Sequence, residues 1–337
     1  MIEYFAKDYE VKLFDYEVKS ISDVSAAALS QVPDNIWISG APLLWKQGFQ
    51  GEGCKIGIID SGIDNTHPDL AARVIFRRDY VQDGALPTQF NVHGTHCCGT
   101  ICANGTIKGV APNLKVVDYR VLSKTGSGSY DNITKAIRDA TADGCNIINM
   151  SLGGPSEYPP LHDAIKAATA AGVLCCVAAG NSGPGQISYP AYYHEVVSVG
   201  AVNFDMSIGK INLPQTPWFS NSNIEVDIAS DGYNVYSTLP GGRYGYLSGT
   251  SMATPCCTGM AALLWQRFKT KIGRSPTEAE LYADLKTSTI DILQAGNDTV
   301  AGAGFVTMYP ELPVKNSTGQ WILPSLNTLQ AQTLEKS

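Results

Sequence analysis

Three short stretches of the chain contain the residue types that acyl-transfer chemistry requires. The stretch IIDSGIDNTHPDL ends an apolar run at Asp60, and NVHGTHCCGT opens a helical pattern that contains His93. A third stretch, LSGTSMATP, places Ser251 at the start of an apolar helix. A serine hydroxyl is a weak nucleophile until an imidazole takes its proton, and a carboxylate can hold that imidazole in one tautomer. If the fold brings them together, these side chains predict acyl transfer.

A fourth stretch, VAAGNSG, supplies a group that could stabilise the negative charge created by acyl transfer. It ends an apolar run in a turn that displays Asn181. The side-chain amide of Asn181 and the backbone N–H of Ser251 could donate together to an oxyanion. Loss of one such donor typically lowers turnover by about 10²–10³. The alternative interpretation of Asn181 is a plain turn residue.

The HGTHCCGT motif also has the residue types of a metal site. His93 and His96 are three residues apart, and Cys98 and Cys102 are four apart, so one helix could present them to zinc. Zinc would sequester the base that a serine nucleophile needs. We therefore favour catalysis at His93, keep zinc as the alternative, and assign no metal ligands from the sequence.

The rest of the pattern predicts the elements that position these groups. Nearly continuous apolar runs are typical of strands buried on both faces of a parallel sheet; they are residues 54–60, 114–122, 145–150, 172–180 and 195–202. Between them, amphipathic patterns predict helices that end at Gly144 and Gly172. This alternation predicts an α/β fold with a central, mostly parallel sheet and helices on both faces.

Two more helices are predicted in the second half of the chain. Residues 250–268 are apolar nearly all round, which predicts a central, buried helix with Pro255 in its first turn. The stretch SPTEAELYADLK predicts a helix in which Ser275 is the N-cap, Pro276 is the first residue and Glu278 is the returning carboxylate.

The composition argues against several kinds of partner and compartment. The 337 residues include 31 acidic and 24 basic ones, for a net charge of −7, and no basic run occurs. Nucleic acids and membrane surfaces require clustered Lys and Arg, so neither is an expected partner. No segment reaches the roughly 20 apolar residues of a membrane span, and the charged N-terminus does not read as a secretory signal. We therefore expect a cytoplasmic protein.

The nine cysteines support the same compartment. Their number is odd, and three pairs are adjacent in sequence, which is closer than a relaxed disulfide prefers. Several lie in apolar runs, where a small residue would serve. We expect reduced, buried thiols, with thiol regulation and metal binding as the alternatives.

Together these motifs resemble those of the subtilisin-like serine proteases, the subtilase family. Asp, His and Ser follow in the order known for that family, and NMSLGG, SYPA and VLSKTGSGSY also match, over roughly residues 31–310. The resemblance implies a three-layer α/β/α sandwich and a serine endopeptidase. Its triad would be Asp60, His93 and Ser251, with Asn181 as the oxyanion donor.

The resemblance also assigns a substrate cleft. Two edge strands would clamp an extended peptide by β-augmentation; their residues are Gly126, Ser127, Gly128, Ser151, Leu152 and Gly153. The pocket for the residue before the scissile bond would be lined by Ala178, Ala179 and Gly180. Small, uncharged walls imply broad specificity with a preference for large apolar residues. Proteins and peptides are therefore the expected substrates.

Within the family, the chain most resembles the intracellular subtilisins. That resemblance implies an N-terminal extension at residues 1–30, a catalytic domain at 31–312 and a polar C-terminal tail at 313–337. The extension would be a short inhibitory pro-segment, in which residues near 11–18 block the active site of a zymogen. A homodimer is also expected from this resemblance.

The resemblance bears on metals and thiols as well. Cys97 follows the histidine motif as in the thiol-dependent branch that includes proteinase K. Asp69 matches a carboxylate ligand of the subtilisin calcium site, but the loop at 102–112 is shorter, so most carbonyl ligands would be missing. We expect no cofactor for the chemistry and favour a helix-cap or turn role for Asp69 over structural calcium. A cation site formed by carbonyls near 191–196 stays open.

Two other functional classes remain as alternatives. A peptide ligase would pass the same acyl-enzyme to an amine, but such enzymes usually carry an added shielding element and no insertion is evident. A non-catalytic binding module would not need a complete set of Asp, His, Ser and oxyanion donor.

Overall fold

The computed structural model describes residues 10–13, 17–22, 32–204, 214–310, 312, 314–315 and 321–322. Most of the predicted tail and parts of the predicted N-terminal extension lie outside these residues. The described strands are, in chain order, β1 Glu10–Lys12, β2 Glu17–Ser22, β3 Lys55–Asp60, β4 Val74–Asp79, β5 Lys115–Arg120, β6 Ser127–Ser129, β7 Ile147–Met150, β8 Leu174–Ala178, β9 Val197–Val202, β10 Ile228–Asp231, β11 Val235–Leu239, β12 Arg243–Ser248, β13 Thr289–Ile290, β14 Phe305–Val306, β15 Val314–Lys315 and β16 Trp321–Ile322. The described helices are α1 Asp34–Ile38, α2 Ala41–Lys46, α3 Val92–Cys102, α4 Tyr130–Ala142, α5 Pro159–Ala170, α6 Thr250–Ile272 and α7 Glu278–Thr287, with a 3₁₀ turn at Pro87–Gln89.

A nine-stranded sheet forms the centre of the molecule. Its strand order is β13-β14-β10-β9-β8-β7-β3-β5-β4, and every described pairing in it is parallel except β13 with β14. The five apolar runs correspond to β3, β5, β7, β8 and β9, so the predicted α/β class is confirmed. Strand β4 was not predicted, because this edge strand is half exposed and its charged side chains interrupt any apolar run.

Helices cover both faces of this sheet. Ile58 and Ile59 are neighbours on β3 and point to opposite faces, and they belong to two different hydrophobic clusters. The cluster of Ile59 includes α4 and α5, and the cluster of Ile58 includes α3 and α6. This is the expected three-layer sandwich. Gly144 and Gly172 follow α4 and α5 with φ of 74° and 85°, as a left-handed helix end requires.

Two details of the predicted helices are wrong. The N-cap of α7 is Thr277, whose side chain accepts from the backbone N–H of Glu280 in a capping box, and it is not Ser275. Pro255 is the sixth residue of α6 and lies beyond its first turn. Because proline has no N–H, the carbonyl of Ser251, four residues earlier, receives no helical hydrogen bond.

The described parts of the N-terminal extension pair with the catalytic domain. Strand β1 is antiparallel to β6, and β2 is antiparallel to β12, forming a three-stranded sheet with the β11–β12 hairpin. Among the described helices, none combines the length and apolar character that crossing a membrane demands.

Candidate active site

The carboxylate of Asp60 and the ring of His93 form a buried pair. Asp60 ends β3, and its Oδ1 accepts the backbone N–H of Ser61 at 2.6 Å. His93 Nδ1 lies 2.9 and 3.0 Å from the two carboxylate oxygens. Both side chains are fully buried. A ring held through Nδ1 presents Nε2 on its opposite side, as a general base requires.

Local contacts explain why His93 meets Asp60. Asn91 caps α3 by accepting the N–H of His93 at 3.0 Å. Ser61 Oγ accepts the N–H of Gly94 at 3.0 Å, which ties the helix to the turn after Asp60. A Cβ on Gly94 would lie 2.4 Å from the carbonyl oxygen of Gly62, so only glycine allows this approach. Ser61 is a site residue that the sequence analysis missed, although it follows Asp60 directly.

Electrostatics favour a charged His93 when Asp60 is ionised. Burial alone would lower the pKa of the imidazole, but the adjacent Asp60 carboxylate and the Cys97 thiol together outweigh burial and raise the pKa of His93. His96, by contrast, has its pKa lowered to about 3 by burial. Its Nε2 lies 3.0 Å from the carbonyl oxygen of Val235 and donates to it. His96 is therefore a neutral structural residue that anchors β11.

Ser251 is the second residue of α6 and is fully buried. Its Oγ donates to the carbonyl oxygen of Ser151 at 3.2 Å. Its own carbonyl, which Pro255 leaves without a helical donor, accepts from Ser151 Oγ at 3.0 Å and Cys97 Sγ at 3.5 Å. Cys97 Sγ also lies 3.8 Å from His93 Nδ1, so the same thiol contacts both the imidazole and the backbone of Ser251.

A buried chain of hydrogen bonds supports Ser151 from below. Asn149 Nδ2 donates to Ser151 Oγ at 3.2 Å, and Asn149 Oδ1 accepts from Thr258 Oγ1 at 2.8 Å. Neither Asn149 nor Thr258 was among the predicted site residues. The NMSLGG motif contained the first of them, but nothing in the sequence indicated the second.

The amide of Asn181 has a defined orientation. Its Oδ1 accepts from Thr250 N at 2.9 Å and from Thr250 Oγ1 at 2.8 Å. A Cβ on Gly249 would lie 2.8 Å from Asn181 Nδ2, so the donor end of the amide lies beside the residues that precede Ser251. This is the neighbourhood in which an oxyanion donor is needed.

Residues 10–13 of the N-terminal extension contact the predicted substrate clamp. Gly128 and Ser127 oppose Val11 and Lys12 in the β1–β6 pairing. The N–H of Leu13 donates to the carbonyl oxygen of Gly126 at 2.8 Å, and Lys12 forms an antiparallel bridge with Gly153.

Val11 and the pocket residues are enclosed. Val11 is fully buried, in one apolar cluster with Leu152. Ala178 ends β8, and the N–H of Gly180 donates to Thr250 Oγ1 at 3.1 Å, next to Ser251. Ala179 lies between them and is 1% exposed.

The zinc alternative receives no support from the geometry. Among the described residues, the only group of three or more metal-binding side chains within reach of one another is Asp60, His93 and Cys97. His96 is engaged by Val235, and the thiols of Cys98 and Cys102 lie in the hydrophobic core. All nine cysteines are free and buried.

Asp69 holds a loop in the structure. Its Oδ1 accepts the N–H of Thr106 at 2.9 Å, and its Oδ2 accepts the N–H of Ile107 at 3.0 Å. Both carboxylate oxygens therefore act as acceptors for the short loop after α3, which fits the favoured turn role.

A buried Asp–His pair beside a serine at a helix N-terminus, at the carboxyl edge of a parallel sheet, defines a serine hydrolase of the α/β class. The sequence model of the subtilase family matches residues 51–304, and the chain belongs to this family as a subtilisin-like serine protease.

Curated relatives agree with this assignment. The chain is 41% identical over 297 residues to the "Intracellular serine protease" of Paenibacillus polymyxa, a match that covers 84% of this chain and 88% of that one. It is 37% identical over 312 residues to the "Major intracellular serine protease" of Bacillus subtilis (strain 168), covering 88% and 93%. It is 40% identical over 246 residues to subtilisin DY of Bacillus licheniformis, covering 71% and 86%.

Proposed function

We propose that Ser251 attacks the peptide carbonyl while His93 takes its proton and Asp60 orients His93. The backbone N–H of Ser251 and Asn181 Nδ2 stabilise the oxyanion, and water then hydrolyses the acyl-enzyme. The observation that carries this proposal is the Asp60–His93 pair. The thiol of Cys97 contacts both His93 Nδ1 and the backbone carbonyl of Ser251 and so links this pair to the nucleophile. No step requires a cofactor.

We also propose that the N-terminal extension is an inhibitory pro-segment and the protein a zymogen. Residues 10–13 lie in the predicted clamp, and Ser251 is fully buried. The carbonyl oxygen of Ser151 accepts a hydrogen bond from Ser251 Oγ. In an antiparallel pairing that continued the Lys12–Gly153 register, the residue two positions after Lys12 would lie opposite Ser151. In the sequence that residue is Phe14, so the bond cleaved would be Phe14–Asp15.

The bond after Phe14 agrees with the specificity proposed for the enzyme. A large apolar residue precedes it, as the small, uncharged walls at Ala178, Ala179 and Gly180 favour. Since relatives are named intracellular proteases, we propose action on proteins or peptides in the cytoplasm.

We also propose that the protein is a homodimer. Light scattering tests this, because it measures the mass of the particle in solution.

A fluorophosphonate probe followed by intact mass tests these roles. We expect one adduct that is absent in Ser251→Ala, and its growth should follow the loss of residues 1–14. Val11→Asp should increase the initial labelling rate by about tenfold or more, because burying a charge disfavours the seated segment. Lys12→Gln, at an exposed neighbouring position, is the control and should leave that rate unchanged.

Failure of either part has a distinct signature. Labelling of the unsubstituted protein at its full mass, as fast as labelling of Val11→Asp, would overturn the pro-segment proposal alone. No adduct in any variant, including Val11→Asp, would overturn the catalytic assignment.

A further inference from the structure

The loop that carries Asn181 is held by the side chain of a second asparagine, Asn221. Asn221 Nδ2 donates to the carbonyl oxygen of Ala179 at 2.8 Å, and Asn221 Oδ1 accepts the N–H of Ser182 at 2.8 Å. The backbone N–H of Asn221 donates to the carbonyl oxygen of Gly180 at 2.9 Å. Asn221 therefore contacts the two residues before Asn181 and the residue after it.

The partners of Asn221 fix the orientation of its amide. A carbonyl oxygen only accepts and a backbone N–H only donates, so the amide nitrogen faces Ala179 and the amide oxygen faces Ser182. Asn221 and Ala179 are each 1% exposed. Removal of the Asn221 amide therefore leaves the buried carbonyl of Ala179 without this donor.

A glycine at residue 180 makes this contact sterically possible. Gly180 has a φ of 112°, and a Cβ there would lie 2.3 Å from Asn221 Nδ2. The N–H of Gly180 donates to Thr250 Oγ1, which in turn donates to Asn181 Oδ1 at 2.8 Å. Thr250 thus fixes the amide group of Asn181, and Asn221 fixes the backbone that carries it.

The segment that carries Asn221 is attached both to this loop and to the central sheet. The N–H of Gly183 donates to the carbonyl oxygen of Phe219 at 2.9 Å. Ser220 Oγ accepts the N–H of Ala201, on β9, at 3.0 Å. The position of Asn221 is therefore set by the sheet, and its side chain passes that position on to the loop.

We propose that Asn221 is a positioning residue for the oxyanion donor. It holds residues 179–182 so that Asn181 Nδ2 meets the oxyanion as the negative charge develops. The inference rests on the proposed function, in which Asn181 is that donor. A donor of this kind must lie about 2.7–3.1 Å from the oxyanion, and a displacement of about 1 Å can lower the rate by about 10².

Asn221 also contacts two residues of the predicted pocket for the residue before the scissile bond, Ala179 and Gly180. An effect on that pocket and an effect on the oxyanion differ in their kinetics. The pocket binds the substrate in the ground state and the transition state alike, so a change there alters KM. The oxyanion donor acts only in the transition state, so its displacement alters kcat.

A double-mutant cycle between Asn221→Ala and Asn181→Ala tests the proposal. Each variant is made in the full chain and assayed with a peptide nitroanilide that has phenylalanine before the scissile bond. The fluorophosphonate probe counts the competent active sites, so that kcat refers to those sites alone. Ser220→Ala is the matched control, because Ser220 is a fully buried neighbour whose hydroxyl pairs with β9.

Asn181→Ala should lower kcat by about 10²–10³. Asn221→Ala should lower kcat by about 10- to 100-fold and change KM by less than about threefold. In the Asn181→Ala background, Asn221→Ala should change kcat by less than about threefold, because the donor that it positions is gone. Ser220→Ala should leave kcat within about threefold of the unsubstituted protein.

A second variant serves if Asn221→Ala does not fold. Asn221→Ser keeps a hydroxyl that can pair with one of the two loop groups, but its shorter side chain does not reach Ala179 and Ser182 together. It should lower kcat in the same direction, and the loss should again disappear in the Asn181→Ala background.

An equal loss of kcat in both backgrounds, a loss confined to KM, or an unchanged kcat would overturn the inference and leave the role of Asn181 intact. If Asn181→Ala itself left kcat unchanged, the oxyanion assignment in the proposed function would fail.

Discussion

Replacement of Ser151 by alanine should destabilise the protein far more than the same change at another buried serine. Ser151 Oγ donates to the carbonyl of Ser251 at 3.0 Å and accepts from Asn149 Nδ2 at 3.2 Å. The Ser251 carbonyl depends on this donor, because Pro255 offers no N–H in the helix. Ser198 is the matched control: it is 1% exposed, and its Oγ has no hydrogen-bond partner among the described residues.

The expected magnitudes follow from these contacts. Ser151→Ala loses a hydrogen bond with a net value of about 0.5–1.5 kcal/mol and leaves a buried Asn149 donor unsatisfied, at about 1–3 kcal/mol. The neutral thiol of Cys97, whose pKa burial raises, still donates weakly to the Ser251 carbonyl. We therefore expect a loss of about 2–3 kcal/mol. Ser198→Ala removes an unpaired buried hydroxyl and should cost about 0 kcal/mol or less.

Urea unfolding, followed by circular dichroism, measures both changes in a Ser251→Ala background that prevents self-digestion. Adding Pro255→Ala restores a helical N–H for the carbonyl of residue 251, so mainly the unsatisfied Asn149 donor should remain and Ser151→Ala should cost about 0.5–1.5 kcal/mol less than before. The reasoning would be refuted by equal costs at Ser151 and Ser198, or by a cost at Ser151 that Pro255→Ala does not change.

Three further predictions concern charged groups. Burial raises the pKa of Asp231 from 3.8 to about 8, so the contribution of its protonated form to stability is complete below pH 3.8 and is lost as the pH rises towards 8. Asp231→Asn should therefore raise the free energy of unfolding at pH 8 by up to about 5 kcal/mol and leave it unchanged at pH 4. Equal effects at both pH values would contradict this. Asp60 raises the pKa of His93 above 6.5, and His93 must be neutral to act as the base. In a pH–rate profile, kcat/KM should therefore rise with pH through a midpoint above 6.5. A lower midpoint would count against the Asp60–His93 pair. Asp69→Asn places an amide donor against the backbone N–H of Thr106 or Ile107 and should lower the free energy of unfolding in urea by about 1–3 kcal/mol. EDTA should shift the melting temperature of the unsubstituted protein by less than about 2 °C, and a larger shift would indicate a bound structural cation.

The sequence alone determined the central strands and the ends of α4 and α5. Strand β8 is buried on both faces and apolar at every position, and the interior of β3 is likewise apolar, so both runs are visible without a structure. Gly144 and Gly172 are visible because a left-handed helix end favours glycine. The start of α7 was misplaced because both Ser275 and Thr277 precede a glutamate three residues on, and in the structure Thr277 and Glu280 form the capping box.

The sequence also determined the chemistry that was available, because an Asp, a His, a Ser and an amide donor can do acyl transfer wherever they meet. Only the tertiary structure decided which residues meet. His93 and His96 are the same residue type three positions apart, yet one lies against Asp60 and the other against Val235.

Tertiary structure likewise determined that β1 pairs with β6 in the cleft and that β2 pairs with β12. These pairings join residues more than a hundred positions apart, and residue type sets what a group can do but not its distance from a partner so remote in the chain. That distance is set by the path of the chain through the packed sheet and helices.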